Sequence, residues 1–320
     1  MGPVELRGYF RAGGTLVNRA VPGGFAQDFR GELAVDQLYV GGKALGGDGL
    51  GLNSIRVPCD LSASPELVDV RSLQVLCDLG SLSAAGKMPL ATLTAGNVLA
   101  ILREPSHFEG TVDLAALAKQ LPHVMNVNPE TQITGGQLVA VWDSRKDATA
   151  TQWSGKVETR DLRALNAGRP IVLQDPLVVQ VAARDTVAGP VVENVSAKSK
   201  FLNLNGAGNL DQLTIEGTCD MDQLAAELGQ LIDLSKMKPA GQAQGKAVWN
   251  RANDGRFALT LDAVLDRFQV TLPGDLTMRE PKLAIAGNVA GMMSNTTAAQ
   301  RRERTFFDRS PRRATGRPGG

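Results

Sequence analysis

The residues of this chain that could do chemistry are two matched aspartates, two histidines, three cysteines and one glycine loop. Asp113 and Asp220 each stand three residues after a glycine, Gly110 and Gly217, at the head of an apolar run. A catalytic carboxylate pair needs a pocket and a raised pKa. A carboxylate at the head of a helix needs only the free backbone N–H groups it satisfies. The spacing therefore assigns both as helix caps. His107 and His123 flank the first of these runs, but the matching slots of the second hold Thr214 and Gln230. Imidazole is thus dispensable there, and two histidines do not make a His-rich metal site. Cys59, Cys77 and Cys219 lack CxxC spacing and are odd in number. They read as small core residues, with a Cys59–Cys77 disulfide as the open alternative. Gly206-Ala207-Gly208 has neither the third glycine nor the lysine of a phosphate loop, and it runs on as strand. GxSxG, HExxH and EF-hand loops are absent from the sequence. The expectation is a protein that is not an enzyme, with no catalytic residue, cofactor or metal.

The elements around these residues repeat. Gly110–Asp143 aligns without a gap on Gly217–Asn250, an offset of 217 − 110 = 107 residues. Ten of the 34 aligned positions are identical, where average composition gives roughly two. Trp142 and Trp249 fall in the same slot. They read as rings packed over the helix; a lipid- or ligand-facing ring is the other reading. Each unit is a strand ending in Gly-Thr, a capped helix, a Gly/Pro loop and a strand carrying Trp. The helices are expected near Leu114–Leu121, stopped by Pro122, and over Met221–Leu234. A third is expected over Thr94–Arg103. Each lies across a sheet face or plugs one end. Such duplication suggests a chain built by extension rather than around one pocket.

Elsewhere period-two alternation dominates, giving strands with one apolar and one wetter face. The apolar sets are Val139 and Val141; Leu177, Val179 and Val181; Leu213 and Ile215; Phe257, Leu259 and Leu261; and Phe268, Val270 and Leu272. These are the candidate groove or core lining. Which face lines a groove is open. Turns are expected at Gly13-Gly14, Gly23-Gly24, Gly41-Gly42, Asn205-Gly206, Asp254-Gly255 and Pro273-Gly274.

Composition bounds the function. Thirty-four Lys+Arg stand against 33 Asp+Glu, so a basic nucleic-acid footprint is missing. Aromatics are 4% of residues, which leaves few stacking platforms for bases or sugars. Neither a run of about 18 apolar residues nor a signal-peptide pattern is present. The opening residues read as mid-protein strand, which suggests a fragment. Four zones follow: a Gly-rich β segment over 1–108 that reads as a truncated unit, a β unit with a capped helix over 109–215, a second, incomplete unit over 216–290, and an Arg-rich tail over 291–320. The tail reads as disordered, with binding to an anionic surface as the sharper alternative.

The run Phe201-Leu202-Asn203-Leu204-Asn205-Gly206-Ala207-Gly208-Asn209-Leu210 leads into Leu213-Thr214-Ile215-Glu216-Gly217-Thr218. After Asp220–Leu234 comes Ala240-Gly241-Gln242-Ala243-Gln244-Gly245-Lys246. Over roughly residues 60–290 this style resembles the AsmA-like, TamB-like family of bridge-like lipid transfer proteins of the bacterial envelope. The resemblance implies a mainly β fold, an elongated, curved, antiparallel-rich sheet groove (β-taco or solenoid-like) with a few short helices. It further implies phospholipid or another acyl-chain lipid as partner, envelope membrane proteins as neighbours, a periplasmic or envelope location and a part in outer-membrane biogenesis. Family members are anchored by an N-terminal helix that this chain lacks, which fits a fragment. About 20 strands at about 4.8 Å would give a trough of roughly 95 Å. The competing reading is a structural β-repeat or β-solenoid scaffold without lipid transport. A carbohydrate-active enzyme would need a carboxylate cluster on one face.

Overall fold

Alternation along the chain translates into one very wide sheet. In the computed structural model the described residues are 4–42, 45–94, 102–147, 150–173, 175–187, 189–229, 231, 238–252, 254, 256–272 and 276–292. The strands are β1 (Val4–Val21), β2 (Gly24–Gly42), β3 (Gly49–Ala63), β4 (Leu67–Cys77), β5 (Gly80–Pro89), β6 (Ser106–Asp113), β7 (Thr131–Lys146) and β8 (Thr151–Asn166). After the short β9 (Arg169–Val172) come β10 (Val178–Thr186), β11 (Gly189–Lys198), β12 (Leu202–Asn209), β13 (Gln212–Asp220), β14 (Lys238–Arg251), β15 (Arg256–Leu272) and β16 (Leu276–Met292). They form one 16-stranded sheet in chain order, with β9 attached only to β8. Every pairing is antiparallel, and β1 and β16 do not pair with each other, so the sheet is open. The fourteen steps from β1 to β16 span about 67 Å at about 4.8 Å each. The strands are fewer than expected because they are long, up to 19 residues in β2. Residues 108/109 and 215/216 fall inside β6 and β13, so pairing runs unbroken across both junctions.

Sheets this wide curl rather than lie flat, and bulges supply the bend. Register shifts interrupt the ladder at Asp60/Leu61, Val70/Leu73, Val192/Val195 and Ala240/Gln242, among others. Gly23 and Asp254 lie in hairpin turns as expected, whereas residues 273–275 are outside the described set. Gly13-Gly14 and Asn205-Gly206 are not turns: they lie within β1 and β12. Their glycines serve close approach. A Cβ on Gly14 would lie 2.8 Å from the Arg30 carbonyl oxygen, and one on Gly206 would lie 2.6 Å from that of Thr214.

Three helices are described: α1 (Leu90–Thr94), α2 (Leu114–Gln120) and α3 (Met221–Leu228). Of the expected 94–103 helix, Thr94 ends α1 and Leu102 is helical, while residues 95–101 lie outside the described set. In the second unit the helix stops at Gly229 rather than running to Leu234, whose surroundings are likewise outside it. The sequence reading of Asp113 and Asp220 as caps matches the geometry. Asp113 Oδ1 accepts from the N–H groups of Ala115 and Ala116 at 2.8 and 2.9 Å. Asp220 Oδ1 accepts from Gln223 N–H at 2.9 Å. Because strand direction alternates along the sheet, α2 and α3 leave it at the same end. The Asn128 N–H donates to the Leu231 carbonyl at 3.1 Å, tying the two connectors together. Replacing either cap by alanine should destabilise the fold by about 1 kcal/mol, read as a lower urea midpoint with an unchanged slope.

Candidate functional site

Cross-strand partners in an antiparallel ladder share a face, so the registers sort the whole sheet into two surfaces. One is apolar from end to end. It carries Phe10 and Leu16 on β1, Phe29, Leu33 and Val35 on β2, Ile55, Val57 and Leu61 on β3. It continues through Leu73 and Val75, Leu82, Phe108, Trp142 and Val157. Val179 and Val181, Val192 and Val195, Leu204, Leu213 and Ile215, and Trp249 follow. Leu259, Leu261, Ile285 and Val289 close it. No large side chain among the described residues is fully buried. Phe10 is 66% exposed, Leu82 43%, Leu261 42% and Val157 38%. A folded chain normally covers such a face, and contiguous exposed apolar surface marks a binding surface.

The opposite face is polar and laced by ion pairs across the strands. Arg71 of β4 bridges Asp60 at 2.7 Å and also contacts Asp28, which Arg19 of β1 approaches at 3.3 Å. Lys156 and Arg160 both contact Glu158, and Lys246 holds Glu216 at 2.7 Å. Hydrogen bonding from Ser62, then Arg71 and Arg19 beside it, holds the Asp28 carboxyl below its ordinary value despite partial desolvation. Lys156 and then Arg160 do the same for Glu158. At Asp48 burial opposes ionisation, but the His123 ring at 2.6 Å and the His123 and Val124 N–H groups outweigh it, and the pKa is lowered. All three carboxyls are more acidic folded than unfolded. Their contribution to stability is therefore complete above about pH 5, clear of the unfolded carboxyl range, and drains as pH falls through the lowered values. The denaturation midpoint should fall between pH 5 and pH 2.5, with a smaller drop in high salt, where exposed pairs are screened.

No family model matches the chain, nor does any curated protein or solved structure. The surfaces themselves must carry the functional reading.

The sequence-selected lining divides between the two faces. Val179, Val181, Leu213, Ile215, Phe257, Leu259 and Leu261 are on the apolar face. Leu177 immediately precedes β10, its N–H donating to Thr159 Oγ1 at 3.0 Å. Val139 and Val141 pair with Glu158 and Lys156 on the opposite face, away from Trp142, and Val139 is buried there as core rather than lining the apolar face. The Val139-Ala140-Val141-Trp142 run is apolar at both parities, so alternation does not say which parity faces which way. Phe268 and Val270 follow Arg267, whose φ of 52° marks the irregularity in β15; Val270 is buried there. The Leu272 side chain is outside the described set. Sequence reasoning passed over β1 to β3, although Phe29-x-Gly31-x-Leu33-x-Val35 and Ile55-x-Val57-x-Cys59-x-Leu61 alternate cleanly.

Both matched tryptophans are on the apolar face. Trp249 stacks on Phe257 at 5.0 Å, and its Nε1 donates to the Leu210 carbonyl at 3.1 Å. Trp142 Nε1 is buried without a partner, as is Ser106 Oγ. Beside them the Leu102 carbonyl accepts from Trp153 Nε1 at 2.6 Å and from Ser144 Oγ at 2.9 Å, covering one end of the apolar face. All three cysteines are free thiols, and burial raises the pKa of Cys59 and Cys219. His107 pairs with Asp143 at 2.9 Å across β6 and β7. Among the described residues no cluster of three His, Cys, Asp or Glu could hold a metal, and no helix is long and apolar enough to cross a membrane. A recess of about 1140 Å³ is on the polar face. There Lys246 lies in register between Glu216 and Asp262, which makes a charge ladder rather than a convergent acid–base pair.

Proposed function

We propose that this chain is a non-enzymatic protein of the bacterial cell envelope that presents the apolar face of its open sheet to lipid acyl chains, for binding or transfer during outer-membrane biogenesis. The observation that carries the reading is the continuity of that face. Fifteen strands in succession present apolar side chains on one side, the other side carries the paired charges, and large residues of the apolar side remain exposed. Each methylene withdrawn from water onto such a surface is worth about 0.8 kcal/mol, so a chain of a dozen carbons gains enough to be held without any directed polar contact. The resemblance to bridge-like lipid transfer proteins agrees with this and supplies phospholipid as the partner and the periplasm as the location.

The scaffold reading draws on the same sheet, whose cross-strand ion pairs stiffen it. One experiment separates the two. The chain purified from bacteria is examined by native mass spectrometry and then titrated with a fluorescent phospholipid. Lipid adducts of phospholipid mass and saturable uptake are expected. A lipid-free spectrum together with no uptake would leave the scaffold.

A further inference from the structure

The apolar face is not uniform, and one part of it has the shape of a seat. In register across β5, β6, β7, β8 and β10 lie Leu82, Gly110, Ala140, Val157 and Val179. The next row along the strands is Ala84, Phe108, Trp142, Gly155 and Val181. Gly110 and Ala140 are the two smallest residues of the first row, and they sit side by side between larger neighbours. The Phe108 and Trp142 rings of the second row stand over them as a wall. The result is a recess of about 350 Å³ with an almost wholly apolar lining, at the small end of the range for ligand sites.

Its direction is as informative as its volume. The row crosses the strands rather than following one, and four strand steps give about 19 Å. It is one residue wide. The glycines keep it open for different reasons. A Cβ on Gly155 would meet Val181 Cγ1 at 2.9 Å and Trp142 Cε3 at 3.0 Å, so that position is already full. A Cβ on Gly110 would find Leu82 Cδ1 at 3.4 Å and the Ser81 carbonyl oxygen at 3.6 Å, which is ordinary contact, so a methyl group fits over Gly110 without displacing a neighbour. A narrow, mainly apolar recess that runs across the strands suits one extended hydrocarbon chain.

We infer that the row from Leu82 to Val179 is a discrete seat for a single acyl chain of a phospholipid, lying across the strands with its flank against Trp142. The inference rests on the lipid-binding reading above and adds to it a place, an orientation and a stoichiometry.

Trp142 reports on its own channel. The test uses the full chain with Trp153→Phe and Trp249→Phe, leaving Trp142, and a second chain with Trp142→Phe and Trp153→Phe, leaving Trp249. Both are mixed with vesicles of phosphatidylcholine brominated at mid-chain, which quenches indole fluorescence on contact; unbrominated vesicles are the control. Saturable quenching of Trp142 with about one lipid per chain is expected. In the Trp142 reporter, Gly110→Leu or Ala140→Leu should weaken that quenching at least about tenfold by filling the channel, with circular dichroism unchanged. Two substitutions on different strands keep the test open if one misfolds. Quenching of Trp249 without Trp142 would overturn the seat and leave the wider lipid reading standing. Unaltered quenching in both filled variants would also overturn it. Quenching of neither ring would remove the seat and the lipid reading together.

Discussion

A single carboxylate on the apolar face should cost far more lipid binding than the same carboxylate one residue away. Leu259 and Leu261 face the apolar side, in register with Trp249 and Ala247, while Thr260 between them faces the polar side, in register with Val248. Leu261→Asp places a charge where an acyl chain would lie. Within an apolar environment such a charge is unfavourable by about 2.5–3.5 kcal/mol, so a roughly 100-fold loss of phospholipid affinity is expected. Thr260→Asp should leave affinity within about twofold, since its side chain enters a surface already lined with carboxylates and lysines. Folding is a small concern at either position. Leu261 is 42% exposed, and surface changes away from special features usually move stability by less than about 0.5 kcal/mol. Fluorescent-phospholipid titration of the three chains, with melting curves beside them, reads the result. Equal affinities for Leu261→Asp and Thr260→Asp would mean that the acyl path does not run over this face.

The same pair of strands shows how far the sequence reaches. Phe257 to Leu261 alternates without interruption, so its two faces can be written down from the letters alone. The partners of β15 follow nearly as well, because short connections make neighbours in sequence neighbours in the sheet. Polarity decides nothing where a strand is apolar at both parities, as at Val139–Trp142, and there the lining was split between faces. Parity also fails across bulges. Val192 and Val195 share the apolar face although they are three positions apart, and no local signal distinguishes that spacing from a break in the strand. Glycine carried two meanings that composition cannot separate. Gly23 turns the chain with a φ of 85°, whereas Gly206, preceded by asparagine like a hairpin turn, lies inside a strand. What separates them is the atom opposite, which is supplied by another strand. The caps were legible because capping is local: Asp113 and Asp220 act on N–H groups two and three residues away. The channel was not, since Gly110, Ala140 and Val157 come together only through the register of three strands.

Gly110 and Gly217 occupy matched slots in the aligned segments, yet they should respond oppositely to one methyl group. A Cβ on Gly217 would stand 2.3 Å from Leu204 Cδ2, 2.4 Å from the Asn203 carbonyl oxygen and 2.9 Å from Leu204 Cα. Rotating Leu204 relieves only the first of these. The other two are backbone atoms of β12, so alanine must push β12 away from β13 and weaken the ladder between them. Overpacking of this kind is unfavourable by about 1–3 kcal/mol, and contact with backbone puts Gly217→Ala at the top of that range. Its nearest neighbour in the register, Gly245, offers no relief, because a Cβ there is itself 3.0 Å from the Asp262 carbonyl oxygen. At Gly110 the nearest atoms are Leu82 Cδ1 at 3.4 Å and the Ser81 carbonyl oxygen at 3.6 Å. Alanine fits there, and by narrowing the unfolded ensemble it should raise stability by about 0.5 kcal/mol. Chemical denaturation should therefore separate the two variants by about 3.5 kcal/mol, with Gly217→Ala the less stable. Equal shifts would mean that the two glycines do the same work, and that the close contact between β12 and β13 yields to a methyl group at little cost.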